Sequence, residues 1–338
     1  MFNFSKRIGI DLGTANSLVY VVGQGLVMNE PTVVAVSNID NKVLAVGNEA
    51  KEMLGRTPGN ITATRPLRDG VIADYVITEA MLRYFIDKIC GTGRFFKPEV
   101  MVCVPAGVTQ VERRAVLDAT LSAGAKTAYL IDEPLAAAIG SNVPIANPSG
   151  NMIVDIGGGT VEAAVICLGG VVVHNSVRVG GNKIDESIIQ HVRKKHGLII
   201  GEHQAEVVKI QVGTAIAPKN SEIKQMEVRG RDGLTGMPKT IVLASDEVNL
   251  AIEEVLKKII QAVKTVLEQT PPELASDIID KGIVMSGGTS QLTNLDKFMT
   301  LHTGVPCHIT ENPMLSVVMG TGLALENLDL YKRSLSKR

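Results

Sequence analysis

Two short turns in the sequence each place an aspartate beside small residues, directly after an apolar run. The first turn reads Ile-Asp-Leu-Gly-Thr at 10–14, and the second reads Val-Asp-Ile-Gly-Gly-Gly-Thr at 154–160. Small residues let backbone N–H groups approach an anion closely, and carboxylate oxygens are ligands that Mg²⁺ prefers. The two turns therefore predict loops that cradle phosphate oxygens, while Asp11 and Asp155 hold a hydrated cation.

The two turns share their setting as well as their composition. Apolar, β-branched runs flank the first turn at 7–11 and 18–23, and the second turn at 153–156 and 163–167. A single aspartate before a glycine turn is most often only a hairpin signal. Two copies about half a chain apart predict two similar domains that face each other across a cleft.

A third glycine turn completes the set. Ser-Gly-Gly-Thr at 286–289 follows an apolar run at 281–285 and precedes a helical pattern at Leu292, Leu295 and Phe298. A strand that leads through a glycine turn into a helix presents free backbone N–H groups. Phosphate or a nucleotide is the ligand that such groups favour.

Other nucleotide-binding signatures are incomplete. The glycine pairs at 91–93 and 320–322 do not extend to the G-x-G-x-x-G of a dinucleotide fold. The stretch 233–240 lacks the spacing of a Walker loop and carries a proline in the turn. The sequence also has no His-Arg-Asp loop and no Asp-Phe-Gly of the protein kinases. The paired aspartate turns remain as the nucleotide hypothesis.

Alternating strand and helix patterns must position these turns. Further strands are predicted at 32–38, 42–46 and 99–104, and helices at 72–90, 109–124 and about 246–268. Thr109 and Glu112 have the spacing of a capping box, and Ser245 is the expected N-cap of the last helix. This alternation predicts an α/β fold.

Composition and charge narrow the class of protein. The 338 residues include 34 Lys and Arg against 35 Asp and Glu, and 45% are hydrophobic. The near-neutral charge argues against nucleic acid as a partner, and the hydrophobic content argues against global disorder. We expect a cytoplasmic protein without a spanning helix, because no signal-peptide region or long apolar run is present. Widely spaced cysteines predict reduced, buried thiols rather than a zinc site: Cys90, Cys103, Cys167 and Cys307.

The three turns together resemble the first phosphate loop, the second phosphate loop and the adenosine loop of the actin, heat-shock chaperone and sugar-kinase superfamily. Within it, nearly the whole chain resembles the MreB family of bacterial actins. The stretches that carry this closer resemblance are 54–60, 65–74, 111–116, 132–140 and 270–275. The resemblance implies a duplicated actin-like (RNase H-like) fold, with two lobes around a nucleotide cleft and a smaller subdomain on each lobe. The implied boundaries are 1–31, 68–142 and 316–338 for subdomain IA, 32–67 for IB, 143–179 and 244–315 for IIA, and 180–243 for IIB.

The resemblance also implies roles for individual residues. Asp11 and Asp155 would hold Mg²⁺, through water. Glu133 would orient or deprotonate the attacking water, with help from Thr160, although a glutamate before a proline is ordinarily a helix-start residue. Further contacts to ATP or ADP are implied for Gly13, Thr14, Ala15, Asn16, Gly157, Gly158, Gly159, Gly287, Gly288 and Thr289.

Glu206 and Lys209 match ribose and adenine contacts of the family. Their spacing of three places both side chains on one face of a helix, where such a pair is more often a solvated surface pair. Two positions depart from the family pattern, because Val161 and Val207 stand where relatives often have a second Thr and a second Glu. We expect the first to alter the hydrolysis rate and the second to alter nucleotide affinity.

Phe95 and Phe96 lie side by side in a Gly/Pro loop flanked by basic residues. Adjacent aromatic rings are costly to expose to water and suit a membrane interface. The position resembles the membrane-insertion loop of the family, and the alternative is that one ring tucks under the loop. Phe2 and Phe4 could add a second short anchor. The basic tail at 331–338 could add weak attraction to anionic lipid, or be only a solvated tail.

The leading hypothesis is a slow, Mg²⁺-dependent ATPase that polymerises with copies of itself into paired protofilaments at the inner face of the membrane. A role in cell shape, and any cell-shape or membrane-protein partners, come only from the resemblance. The alternative is a monomeric ATPase of the chaperone or sugar-kinase type. That alternative would need a sugar site or a peptide-binding domain, and neither is recognised in the sequence.

Overall fold

The computed structural model describes residues 5–40, 42–92, 96–331 and 335–337. The strands in chain order are β1 (Arg7–Leu12), β2 (Asn16–Val21), β3 (Gly25–Pro31), β4 (Val34–Ser37), β5 (Val43–Val46), β6 (Ile61–Thr64), β7 (Leu67–Arg68), β8 (Val71–Ile72), β9 (Glu99–Val104), β10 (Thr127–Asp132), β11 (Asn151–Ile156), β12 (Val161–Cys167), β13 (Gly170–Val177), β14 (Leu198–Ile199), β15 (Gln225–Asp232), β16 (Pro238–Ala244), β17 (Ile283–Ser286), β18 (Cys307–Ile309) and β19 (Ser336–Lys337). The helices are α1 (Asn48–Met53), α2 (Tyr75–Cys90), α3 (Gln110–Ser122), α4 (Glu133–Gly140), α5 (Gly181–His196), α6 (Glu202–Val212), α7 (Ser245–Gln269), α8 (Pro272–Lys281), α9 (Leu295–Thr303), α10 (Ser316–Glu326) and α11 (Leu328–Tyr331).

Two large sheets repeat one topology. The first has the strand order β19-β10-β9-β1-β2-β3, and the second has the order β13-β12-β11-β17-β18. In each sheet an antiparallel meander, β1 to β3 or β11 to β13, is extended by parallel strands on the side of its first strand. The repeat that the sequence predicts is thus a repeat of structure, and the fold is the expected two-lobed α/β architecture.

Each large sheet is accompanied by a small one. Strands β4 to β6 form a sheet in the order β5-β4-β6, inserted between β3 and α2. Strands β14 to β16 form a second small sheet, inserted between α5 and α7. The exact limits of the four subdomains stay a prediction.

The core is aliphatic and divides along the two sheets. One cluster covers the first sheet with α2 and α3, around Ile10 and Phe85, and another covers the second sheet with α5 and α7, around Val154 and Ile259. A third cluster contains residues of both sheets, together with side chains of α4 and α10. The two lobes are therefore joined through a shared core in which this helix pair lies.

Helices α4 and α10 cross with their backbones in contact. A Cβ atom placed on Gly320 would overlap the carbonyl oxygen of Ala136, and one placed on Gly140 would overlap the carbonyl oxygen of Ser316. Only glycine allows this approach, since any larger residue would force the helices apart. Because α4 begins at Glu133, the crossing also fixes where this carboxylate lies.

Local predictions were confirmed where neighbouring residues decide the structure. The capping box of α3 is present, with the Glu112 N–H donating to Thr109 Oγ1 at 3.2 Å and the Thr109 N–H donating to Glu112 Oε2 at 2.7 Å. The helix predicted at 72–90 begins later, at Tyr75, because the preceding residues form β8 and Asp74 caps the helix.

Two further predictions were wrong in detail. Ser245 is not the N-cap of α7, which falls on Ala244; the Ser245 hydroxyl instead accepts the Lys224 N–H at 3.0 Å and ties the helix to β15. None of the four cysteines, all of them in the described ranges, forms a disulfide, but Cys103 alone among them is buried. Within the described ranges, no helix combines the length and the apolar character that crossing a membrane requires.

We predict that Gly320→Ala lowers the free energy of unfolding by about 3 kcal/mol, the upper end for overpacking, because the obstructing atom is backbone rather than a movable side chain. Denaturant titration followed by circular dichroism measures this change. Gly59→Ala is the matched control, since an added Cβ there meets nothing within 4 Å. Equal midpoints for the two variants would contradict the close crossing.

Candidate functional site

A cavity of about 400 Å³ lies between the two large sheets. All three glycine turns line it, together with Glu133 and the face of α6 that carries Glu206 and Lys209. The structure therefore brings together every residue for which a catalytic or nucleotide-binding role is predicted. The sequence-based prediction missed other lining residues, namely Leu12, Leu18, Gly70, Gly181, Asn182, Ile210, Gln291, Leu292, Thr293, Pro313, Met314 and Val317.

The first and second phosphate loops touch each other across the cleft. A Cβ placed on Gly159 would lie 2.5 Å from Thr14 Oγ1, and one placed on Gly158 would lie 2.9 Å from the Ala15 Cβ. Larger residues at Gly158 and Gly159 would therefore collide with the first loop. The turns that connect β1 with β2 and β11 with β12 form one surface with backbone N–H groups available to an anion.

A further turn lies over both loops. Asp69 and Gly70 connect β7 to β8 with left-handed backbone angles, φ of 50° and 77°. The Gly70 N–H donates to Thr14 Oγ1 at 3.1 Å, and a Cβ on Gly70 would lie 2.7 Å from Thr160 Cγ2. The Asp-Gly dipeptide was a usable turn signal in the sequence, but its contact with both loops depends on the tertiary fold.

Asp155 is buried and Asp11 is half-buried at the base of the cavity. Burial raises the pKa of Asp11 to about 7, and the charge of Asp155 adds to the rise, while a hydrogen bond from the Cys103 thiol (3.3 Å) lowers it. Burial raises the pKa of Asp155 to about 6, against a hydrogen bond from the Ser286 hydroxyl at 2.6 Å. Among the described residues, no Lys or Arg side chain forms an ion pair with either carboxylate.

This pair of carboxylates fits a magnesium ion. The described part of the chain has no group of three or more His, Cys, Asp or Glu side chains arranged to hold a metal alone. A cation here would complete its coordination with water and with phosphate oxygens, as Mg²⁺ does at nucleotide sites. Two carboxylates that have no cationic partner in the described part of the chain supply the negative charge that such an ion requires.

Glu133 lies at the start of α4, directly after β10, with 8% of its surface exposed. Burial raises its pKa well above the ordinary value, and the charge of Glu162 is the next largest cause, followed by the charges of Asp11 and Asp155. A carboxylate with raised proton affinity can accept a proton from water near neutral pH. The environment of Glu133 suits a general base.

Glu162 is the acidic residue that the sequence-based prediction missed. Its carboxylate accepts the Ala106 N–H of the first lobe at 3.0 Å and the hydroxyl hydrogen of Ser176 on β13. Burial raises the pKa of Glu162 to about 7. The sequence signal that could have indicated Glu162 was its position within an otherwise apolar strand, Val161–Cys167.

Glu206 and Lys209 share one helix but have different partners. The Lys209 ammonium donates to Asp185 Oδ2 at 2.9 Å, within the same lobe. Glu206 forms an ion pair with Lys51 of α1 at 3.5 Å. A second pair, Arg65 with Glu202 at 3.9 Å, also joins the segment around the first small sheet to α6. Two ion pairs therefore cross the mouth of the cleft.

The residues proposed to contact membrane lie mostly outside the described ranges. Phe2, Phe4 and Phe95 are among those outside. Phe96 is described, between α2 and β9, and 61% of its surface is exposed. The end of the basic tail forms β19, which pairs with β10 at the edge of the first sheet, so that part of the tail is not a free solvated segment.

Comparison with known proteins places this geometry in a family. The model of the MreB/Mbl protein family matches residues 5–333. The cell shape-determining protein Mbl of Bacillus cereus (strain ATCC 10987 / NRS 248) is 50% identical over 333 residues, which cover 98% of this chain and 99% of Mbl.

Two solved structures have the same fold. The crystal structure of MreB 5 of Spiroplasma citri bound to AMPPNP superposes with a TM-score of 0.90 at 34% identity, and the match covers 98% of this chain and 99% of that one. The MamK double helical filament matches with a TM-score of 0.78 at 22% identity, over 95% of this chain and 99% of the MamK chain, a likeness that shows the fold alone. The chain described here belongs to the MreB/Mbl family of actin-like proteins.

Proposed function

We propose that this chain binds and slowly hydrolyses ATP and assembles with copies of itself into filaments. The observation that carries the proposal is the cavity in which loops of both lobes meet around the carboxylates of Asp11 and Asp155, neither of which has a cationic partner within the described ranges. A nucleoside triphosphate with Mg²⁺ matches both features, since the loops offer N–H groups and the carboxylates require positive charge. The binding of AMPPNP by the Spiroplasma citri relative supports this choice of ligand.

The residues of the chain divide the work of hydrolysis. The glycine turns at 13–16 and 157–160 bind and orient the phosphates, and Asp11 and Asp155 hold the cation through water. Mg²⁺, when bound, neutralises charge on the β- and γ-phosphates. Glu133 takes the proton from the attacking water, and Thr160 orients that water.

The remaining contacts serve the nucleoside. Glu206 and Lys209 face the ribose and the base, and the turn at 287–289 lines the adenosine. Val161, beside the catalytic Thr160, is proposed to alter the rate of hydrolysis, and Val207 the affinity for nucleotide. ATP and ADP are both ligands of this cleft.

Membership of the family supports proposals for self-assembly and location. The fold is shared with MamK, whose structure is a double helical filament, and Mbl of Bacillus cereus is named for determining cell shape. We propose that this chain forms paired protofilaments in the cytoplasm, peripheral to the inner face of the membrane, and helps to organise cell shape. Its partners are then other copies of the chain, the lipid surface and proteins of the cell-shape machinery, and not nucleic acid.

The first prediction from this proposal concerns Glu133. With MgATP the parent chain should sediment as filaments and release phosphate, whereas Glu133→Gln should still bind nucleotide and sediment but release phosphate about 10²-fold more slowly. Pelleting, electron microscopy and a phosphate-release assay on the same samples measure both steps. Loss of nucleotide binding together with turnover would give Glu133 a structural role instead. A monodisperse monomer with MgATP at tens of micromolar would overturn the filament proposal and favour the monomeric ATPase.

The second prediction concerns pH and the buried acids. The folded protein holds protons on Asp11 and Asp155 at pH values where the unfolded chain has lost them, so these groups stabilise the fold at low pH and that stability is lost as the pH rises towards 7. Without nucleotide, the protein should lose about 1 kcal/mol of unfolding free energy from Asp11 between pH 6 and pH 8. MgADP should reverse the loss.

Asp11→Asn separates the two effects in the same experiment. This variant should be less sensitive to pH between 6 and 8 without nucleotide, yet bind MgATP weakly, because one of the two cation-holding charges is gone. Thermal unfolding at several pH values and calorimetric titration with MgATP measure these properties. If the variant bound MgATP as tightly as the parent, the metal assignment would be wrong.

The third prediction concerns the membrane. Burying part of two phenyl rings in lipid stabilises binding by a few kcal/mol per subunit, at about 25 cal/mol per Å². A filament presents many such loops, so membrane binding should become tight only on polymerisation. Phe95→Ser with Phe96→Ser should abolish most co-sedimentation with anionic liposomes, while ATP turnover and assembly in solution stay near those of the parent.

The same double variant also tests the alternatives for this loop. Failure to fold would show that the rings belong to the core. Binding to liposomes equal to that of the parent would move the anchor to Phe2 and Phe4 or to the basic tail. Raising the salt concentration should weaken liposome binding of the parent, because basic residues flank the two rings.

A further inference from the structure

The Lys209 ammonium is held tightly at the wall of the cleft. It donates to Asp185 Oδ2 at 2.9 Å and to the Gly181 carbonyl oxygen at 3.4 Å, and only 15% of the Lys209 side chain is exposed. An ammonium group has three N–H donors. Two are directed to the protein, and Lys209 lines the cavity, so the third donor is available to a ligand there.

Asp185 connects Lys209 to the loops that face the ligand. Asp185 lies one turn after Gly181 on α5, and the start of α5 is fixed to the second phosphate loop by the Gly181 N–H to the Gly157 carbonyl oxygen (3.0 Å). A Cβ placed on Gly181 would lie 2.6 Å from Thr289 Oγ1 and 3.2 Å from Lys209 Nζ. The ammonium therefore lies where α5, α6 and the adenosine turn meet.

Burying the Asp185 carboxylate costs free energy that its contacts in the fold offset only in part. Only 11% of its side chain is exposed, and its second oxygen, Oδ1, is buried with no hydrogen-bond partner among the described residues. Burial raises the pKa of Asp185 to about 6, although the charge of Lys209 opposes the rise. A partly satisfied buried ion pair is weak support for stability. Its geometry suggests that the pair sets the position of a group instead.

Lys209 could pair with an acidic residue of its own helix, but this ion pair does not form in the structure. Glu206 lies one turn earlier on α6, at the spacing where a Lys and a Glu on a helix commonly pair. Asp185 draws the ammonium towards α5, and Glu206 pairs instead with Lys51 across the cleft. Glu206 and Lys209 are thereby kept apart, and both line the cavity.

We propose that Asp185 is a positioning residue for nucleotide binding, which fixes the Lys209 ammonium where it meets the nucleoside end of ATP or ADP. The inference rests on the proposed function of the cleft. Asp185 itself does not contact the nucleotide. It acts through Lys209, and its effect should disappear when Lys209 carries no charge.

The test is a double-mutant cycle on nucleotide affinity. Asp185→Asn and Lys209→Met, alone and together, are titrated with MgATP and with magnesium tripolyphosphate, which has no nucleoside. Each single variant should bind ATP about tenfold more weakly, the effect of losing one hydrogen bond to a charged group. The double variant should bind ATP no more weakly than Lys209→Met, and all variants should bind tripolyphosphate like the parent.

A control variant in the same lobe separates position from stability. Asp232→Asn removes the ion pair of Asp232 with Lys239, 3.0 Å long, in the hairpin of β15 and β16. It should lower the thermal unfolding midpoint without changing the affinity for ATP, because the cavity residues do not include Asp232.

The measured affinities test whether Asp185 acts on nucleotide binding through Lys209. Parent-like ATP affinity in Asp185→Asn would overturn the inference, as would a further loss in the double variant or an equal loss for tripolyphosphate. If Asp185→Asn fails to fold, Asp185→Glu takes its place in the cycle, because it keeps the charge but displaces the carboxylate relative to Lys209; a parent-like ATP affinity in that variant would overturn the inference. A parent chain that does not bind MgATP would overturn the proposed function instead.

Discussion

Gly140 and Gly320 allow α4 and α10 to cross with their backbones in contact, and the two lobes depend on this crossing. The helix pair lies in a core that contains side chains of both large sheets, so the sheets are packed against a common support. Because α4 begins at Glu133, a contact about two helical turns away from the cavity determines where the Glu133 carboxylate lies. The position of the site is thus set by packing, before any ligand is present.

The cavity concentrates negative charge that the fold alone does not neutralise. Asp11, Glu133 and Asp155, which line the cavity, and Glu162, whose charge acts on Glu133, all have raised pKa values because burial opposes their ionisation. Their hydrogen bonds come from neutral groups, such as the hydroxyls of the strands and a backbone N–H. Aliphatic cores on both lobes offset this unfavourable burial. Ionising these carboxylates in the folded protein therefore costs free energy at the place where the proposed chemistry would occur.

The parts of the site that were predictable from the sequence are those encoded locally. Each of the two aspartate turns joins two consecutive strands, β1 to β2 and β11 to β12, so Asp11 and Asp155 could be identified from local spacing alone. The roles predicted for Glu133 and for the residues that would contact the nucleoside depended on the family resemblance, because a lone glutamate before a proline has no distinctive pattern.

Tertiary contacts account for what the sequence did not reveal. The partner of Lys209 is 24 residues away on another helix, and Glu162 receives its hydrogen bond from Ala106 in the other lobe. The hydroxyl of Ser245 was drawn to Lys224 instead of capping its helix, for the same reason. The ion pairs of Lys51 with Glu206 and of Arg65 with Glu202 extend this pattern to the rim of the cleft, where solvent reaches them. Dissolved salt screens such exposed charges, whereas it does not weaken the apolar contacts between the lobes. Ionic strength should therefore change how firmly the first small sheet is held to α6, and with it how readily the mouth of the cleft opens.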